Sequence, residues 1–149
     1  MLIITVIFLV YANSLGNSFV SDDRDIPIQF RNNGFLREVF ATRAAYRLPS
    51  LTHFLDSLGG LAPWRYHLTN VALHTLATLL VFYLLSQIIK SKKIVFFSSL
   101  LFAIHPIHTD AVDWVVARSY ILFTIFVVSS LILYIKATET KVINKKVYL

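Results

Sequence analysis

Carboxylates and imidazoles gather in two short polar stretches of this chain. One is Asn17-Ser18-Phe19-Val20-Ser21-Asp22-Asp23, directly after an apolar segment. The other is His105-Pro106-Ile107-His108-Thr109-Asp110, between two more apolar segments, with Asp113 close behind. Adjacent aspartates can supply a general base or oxygen ligands for a hard cation. Their plainer reading is a solvated loop or a helix N-cap. His105 and His108 stand three apart, close to metal-ligand spacing, although Pro106 disturbs a regular helix there. Their plainer reading is a hydrogen-bonded turn. Zinc on the histidines, or magnesium or manganese on aspartates such as Asp23 and Asp110, are the metal options, so a divalent cation is the cofactor to test. If the apolar segments cross a membrane in the simplest way, both stretches emerge on the same face. Acids and imidazoles converging at one membrane surface would form a reaction site.

Composition says what must position them. Of 149 residues, 56% are apolar and 15% charged, which excludes a disordered chain and favours a membrane protein. The length suits one small unit rather than two cores. Cysteine is absent, so there are no disulfides or thiolate metal sites. The net charge of +6 does not point to nucleic acid, because the lysines lie beside apolar segments.

Hydropathy predicts an all-α, polytopic membrane protein with about four spans, near residues 2–15, 66–89, 94–105 and 115–135. Tyr66 to Ile89 holds no acidic residue, lysine or arginine and is long enough to cross a bilayer with tilt. Ile94–Ile104 is short for a span, as is Leu2–Leu15, which reads as an uncleaved anchor rather than a signal peptide. Every lysine falls in two places: Lys90, Lys92 and Lys93, and then Lys136, Lys141, Lys145 and Lys146. The positive-inside bias makes both places and both chain ends cytoplasmic. The loop of about residues 16–65, and the turn around His105 to Asp113, then lie outside. Within that loop Phe35–Phe40 and Leu51–Leu58 read as short interfacial helices, the second capped by Ser50 and ended by Gly59-Gly60. Trp64, Tyr66 and Trp114 sit where aromatic belts anchor spans.

His67, Asn70, His74 and Thr78 share one face of the second span, which should turn toward other helices or a wet cavity. Interhelical hydrogen bonding suits Asn70 and His74, whereas His67 lies nearest the outer face and is the better site candidate. Arg47 and Arg118 are candidates for phosphate recognition, since a guanidinium fork matches phosphate oxygens. Other loop arginines suit lipid headgroups.

Taken together, three stretches resemble GT-C-type membrane glycosyltransferases, most of all the tetratricopeptide-containing transmembrane O-mannosyltransferases and their prokaryotic relatives. They are Tyr11 to Asp23, Tyr66 to His74 (YHLTNVALH) and His105 to Val112 (HPIHTDAV), and the likeness covers most of residues 11–135. The resemblance implies sugar transfer, with mannose the sugar that the O-mannosyltransferase likeness suggests, from a polyprenyl-phosphate-linked donor to an acceptor hydroxyl on a protein or glycan, on the extracytoplasmic side. It implies a catalytic first-loop aspartate, Asp23 or Asp22, with Asp23 as base and Asp22 orienting the loop or binding a metal. His105, His108, Asp110 and His67 would support the site or the donor phosphate. It also implies that residues 1–149 are one membrane unit, the N-terminal fragment of a larger domain, in the plasma or inner membrane or the endoplasmic reticulum. The chain departs from the pattern at Arg47-Leu48-Pro49, where Arg-Pro-Leu is expected, and carries no tetratricopeptide unit. The competing reading is a non-catalytic binding or assembly subunit on the same scaffold. A transporter would need polar residues through several spans, and only the second carries such a stripe.

Overall fold

The computed structural model describes residues 1–40 and 46–147, with the side chains of 27, 31, 33, 36, 38 and 139–147 left aside. Among the described residues the regular structure is helical throughout. Helix α1 (Leu2–Tyr11) runs into a 3₁₀ turn at Ala12–Gly16. A second 3₁₀ turn, Ser21–Arg24, leads to α2 (Asp25–Asn33), α3 (Phe35–Phe40) and α4 (Arg47–Ser57). Then follow α5 (Pro63–Ile88), α6 (Lys92–Ile104), a 3₁₀ turn at Pro106–His108, α7 (Thr109–Asp113), a 3₁₀ turn at Val115–Ala117 and α8 (Arg118–Val147).

Among the described residues two segments, Pro63–Ile88 and Val115–Thr138, are long and apolar enough to cross a membrane. The count reaches four if each bent pair is one span. Leu2–Gly16 with Ser21–Phe30 bends by 73°, and Lys92–Ile104 with Pro106–Asp113 bends by 44°. By length and composition each bent pair is a broken span or a re-entrant turn. At Pro106 the break has a cause: proline has no N–H to give the ladder.

Helix α5 is the central post, packed against α1, α4, α6, α7 and α8. Ile3, Ile7 and Tyr11 of α1 meet Val71 and Ala77 of α5, Ala103 of α6, Val112 of α7 and Ile121 of α8 in one apolar core. Outward, Phe97 and Leu101 on α6 and Phe123, Phe126, Leu133 and Tyr134 on α8 are exposed, as suits side chains facing lipid rather than water. The loop helices have their own aromatic seam, with Phe54 of α4 5.7 Å from Phe30 and 4.4 Å from Phe35 between ring centroids.

Local expectations are partly revised. Pro63 opens α5 at its first turn, where a missing N–H is harmless, so this span begins three residues before Tyr66. Helix α4 starts at Arg47, not after Ser50, with Tyr46 at its N-cap and no side-chain cap. Pro49 falls in its first turn, where proline is tolerated, so nothing halts the helix there. Helix α4 ends at Ser57, and Gly60 adopts φ 99°, a left-handed turn that glycine makes without strain. Trp64 and Trp114 are exposed at the ends of their spans. Tyr66, expected in the belt, is fully buried and belongs to the core.

Candidate functional site

The two polar stretches do come together. The turn after α1 and the turn between α6 and α8 border an open cavity of about 360 Å³. Its walls are Asn17, Ser18, Val20 and Ser21 from the first turn, His67 from α5, and Thr109, Asp110, Asp113 and Trp114 from the α7 region. Ser21 has φ 53°, an unusual conformation for a residue with a side chain, directly before the acidic pair.

The acidic pair divides sharply. Asp23 is fully buried. Its Oδ1 accepts the Val116 N–H at 2.9 Å and its Oδ2 the Val115 N–H at 3.3 Å. It thereby caps the 3₁₀ turn that opens the last span, satisfying amides with no partner of their own. Burial raises its pKa, while the Val116 and Val115 amides oppose that shift. Asp22 is exposed and takes a very short hydrogen bond from the Ser21 hydroxyl. That hydroxyl holds its carboxyl below the usual range, so Asp22 is a solvent-facing carboxylate beside the cavity wall. Asp23, expected to face substrate, is turned inward onto backbone, and Asp22 is the open one.

The histidine stretch also divides. His105 is exposed and its Nδ1 accepts the Ile107 N–H at 3.2 Å, capping its own turn. His108 faces the other way. It packs 5.3 Å from His74 and 4.5 Å from Phe102, between centroids, and lines a separate 50 Å³ pocket with Tyr120 and Thr124. Only Thr109, Asp110 and Asp113 turn into the larger cavity. His105 and His108 stay beside each other, their ring centroids 6.3 Å apart, and neither lines the larger cavity. Among the described residues no group of three acidic or histidine side chains is placed to hold a metal ion. Asp23 in particular already gives both oxygens to amides.

The stripe on α5 is buried along its whole length. The Asn70 amide donates to the Val112 carbonyl at 3.1 Å, and His74 Nε2 lies 3.0 Å from the Ala103 carbonyl. Those two are interhelical ties. His67 differs: it is 1% exposed, and neither ring nitrogen has a hydrogen-bond partner.

Neither arginine candidate reaches the cavity. Arg47 is exposed on the first turn of α4 and is not among the lining residues. Arg118 is completely buried. Its Nε donates to Asn70 Oδ1 at 2.6 Å, Nη1 to the Thr52 hydroxyl at 3.1 Å and Nη2 to the Tyr66 carbonyl at 3.0 Å. Nη2 also pairs with Asp56 at 2.6 Å, and Asp56 accepts the Thr69 hydroxyl at 2.7 Å. With its donors engaged, Arg118 clamps α4 to α5 and α8 instead of meeting phosphate. Asp56 was missed from sequence. The signal was there, since an arginine inside an apolar span demands a buried acid.

His53, on α4, adds a pH dependence. It is 5% exposed, and burial, helped by the Arg118 charge, pushes its pKa down from 6.5 to about 2. The folded chain thus resists binding a proton that the unfolded chain accepts below 6.5. Its stabilising contribution is full above that value. It falls as the medium is acidified toward 2, at up to about 1.4 kcal/mol per pH unit. We expect denaturation midpoints in micelles to drop between pH 6.5 and 5, and His53→Asn to flatten that slope. An unchanged slope in the variant would remove His53 as the cause.

Curated relatives bear on all of this. The chain is 35% identical over 150 residues to protein O-mannosyl-transferase tmtc2 of Xenopus laevis, covering 89% of the chain and 18% of that protein. It is 31% identical to a protein O-mannosyl-transferase of Caenorhabditis elegans, covering 93% of the chain and 23% of that protein. The chain is a homologue of the TMTC-type protein O-mannosyl-transferases. Mouse protein O-mannosyl-transferase TMTC3 is 33% identical over 91% of the chain and 16% of its own length. This homologue therefore spans about a fifth of the curated relatives it matches. No family model matches, and no solved structure matches.

Proposed function

We propose that this chain is part of a membrane glycosyltransferase of GT-C type that moves a sugar, mannose by the names of its relatives, from a polyprenyl-phosphate-linked donor to an acceptor hydroxyl. The single observation carrying this reading is the convergence of the first-loop acids' turn with Thr109, Asp110 and Asp113 around one cavity at the ends of the spans. A lipid-linked donor suits that position, because its tail stays in the bilayer while its sugar reaches the interface. The acceptor is a protein hydroxyl, and the site faces the extracytoplasmic side, with both lysine-rich segments cytoplasmic.

In this proposal Asp22 is the general base. A base must come within hydrogen-bond reach of the proton it takes, and Asp22 is the open member of the pair. Asp23 positions the loop against the last span. The test is mannosyl transfer from polyprenyl-phosphate mannose to a threonine peptide, in membranes carrying the chain within the longest native polypeptide that contains it. Transfer is expected, and it should fall with Asp22→Asn. Donor binding without any transfer would instead support a non-catalytic binding subunit. A tag after Leu149 that labels from outside would reverse the orientation.

A further inference from the structure

We propose that α4 and the first turns of α5 hold an anionic membrane phospholipid, its phosphodiester on Arg65 and an acyl chain along a ridge of leucines. This goes beyond the sugar-transfer reading and would stand if that reading failed. Helix α4 is inside out. Thr52 and Asp56 turn inward onto Arg118, and His53 is buried beside them. Leu51 and Leu55 point outward instead, followed by Leu58 and Leu61 in the turn to α5. Leu55 and Leu58 are 58% and 69% exposed. Leu51, Leu55 and Leu58 stand at i, i+4 and i+7, so they form one line. Bare leucines in a row are costly against water and cost nothing against acyl chains.

Continuity with the neighbouring span says what covers this ridge. Trp64, Leu68, Leu76, Leu79 and Tyr83 recur along one exposed face of α5. That helix is long and apolar enough to cross a membrane, and its bare face suits acyl chains. Leu61 and Trp64 join the ridge to that face at the end of the span, where indoles settle at headgroup depth.

Between ridge and span lies an open pocket of about 260 Å³, lined by Leu55, Asp56, Trp64, Arg65, Leu68 and Thr69. It shares no residue with the cavity beside Asp22. Its two charges differ in kind. Asp56 is already met by Arg118 at 2.6 Å and by the Thr69 hydroxyl at 2.7 Å. Among the described residues no acid pairs with Arg65. Its guanidinium lies 5.3 Å from the centre of the Trp64 ring and against the Gly59 backbone, where an added Cβ would collide with Nη1. A guanidinium seated at headgroup depth beside an apolar wall matches the paired oxygens of a phosphodiester. Arg47 opens the same face of α4, four residues before Leu51. The ridge thus has a cation near each end and no acid on it, the charge pattern of an element lying on an anionic lipid surface.

Trp64 and Trp114 are the only tryptophans, so Trp114→Phe makes Trp64 the sole reporter. The full 149-residue chain with this change is reconstituted in phosphatidylcholine bilayers. It is titrated with phosphatidylglycerol or phosphatidylcholine brominated in the acyl chain, since bromine quenches an indole it touches. Both lipids should quench Trp64, with phosphatidylglycerol preferred about fivefold, the usual effect of one arginine near an anionic surface. Arg65→Gln should bring that preference close to one while quenching persists. Gly59→Ala, which pushes the guanidinium off its seat, should also lower it. Unchanged helical circular dichroism will show that both variants are folded. A Trp64 that neither lipid quenches would mean that protein or water covers the ridge, and would overturn the proposal. So would equal affinities in the parent, or a preference that survives Arg65→Gln. Displacement of the brominated lipid by millimolar inorganic phosphate would make this a free-anion site. Displacement by trace polyprenyl phosphate would make it a donor-lipid site, and either result ends the phospholipid assignment. The readout needs no sugar transfer, so the Asp22 test is judged separately.

Discussion

Replacing Arg118 with alanine should destabilise the chain more than any other single change at the site, by about 3–5 kcal/mol. Four groups each lose one partner at once: Asn70, Thr52, the Tyr66 carbonyl and Asp56. Asp56 would be left as a largely buried, unpaired charge, its side chain only 10% exposed. An uncompensated charge costs far more than the intact pair contributes. Arg118→Lys should recover little, because one ammonium cannot reproduce a planar fork that reaches two neighbouring helices. Arg118→Met combined with Asp56→Leu should recover more, since it removes both charges. Unfolding titrations in mixed micelles give the ranking. An Arg118→Ala chain as stable as the parent would show that the clamp is not what fixes α4 against α5 and α8.

Changing the two adjacent aspartates should produce opposite failures. Asp22→Asn should lower transfer about 10²- to 10⁴-fold, the usual span for a positioned base, and leave unfolding nearly unchanged because the side chain is exposed. Asp23→Asn keeps one acceptor but offers an amide NH₂ to one of the two backbone N–H groups it now satisfies. It should therefore lose about 1–3 kcal/mol of stability, with activity falling only as the fold does. Parallel transfer assays and melts separate the two. Full transfer by Asp22→Asn beside a stable but inactive Asp23→Asn would restore Asp23 as the base and end the assignment made here.

Which residues gather was legible in sequence, but which way each one turns was not. Asp22 and Asp23 are identical in type and adjacent, so nothing local says which turns inward. That depends on the Val115 and Val116 amides, 92 and 93 residues away from Asp23. Arg118 read as a phosphate ligand because sequence shows its charge and not its partner, and Asp56 comes from a different helix. His105 and His108 do stay neighbours, but spacing alone could not say that neither lines the larger cavity. The stripe on α5 succeeded because helical periodicity is a local property, and a polar face within an apolar span has no favourable place except against protein.

By itself, then, the sequence determined an all-helical membrane protein, where the apolar helices run, that α5 presents its polar face to its neighbours, and which two stretches could form a site. Those follow from short-range periodicity and from the cost of burying polar groups in lipid. The tertiary structure alone decided that Asp23 caps and Asp22 opens, that Arg118 clamps, and that His67 and Asp113 face one cavity. Each of these depends on partners distant along the chain, and burial and hydrogen bonding are set only when those partners meet.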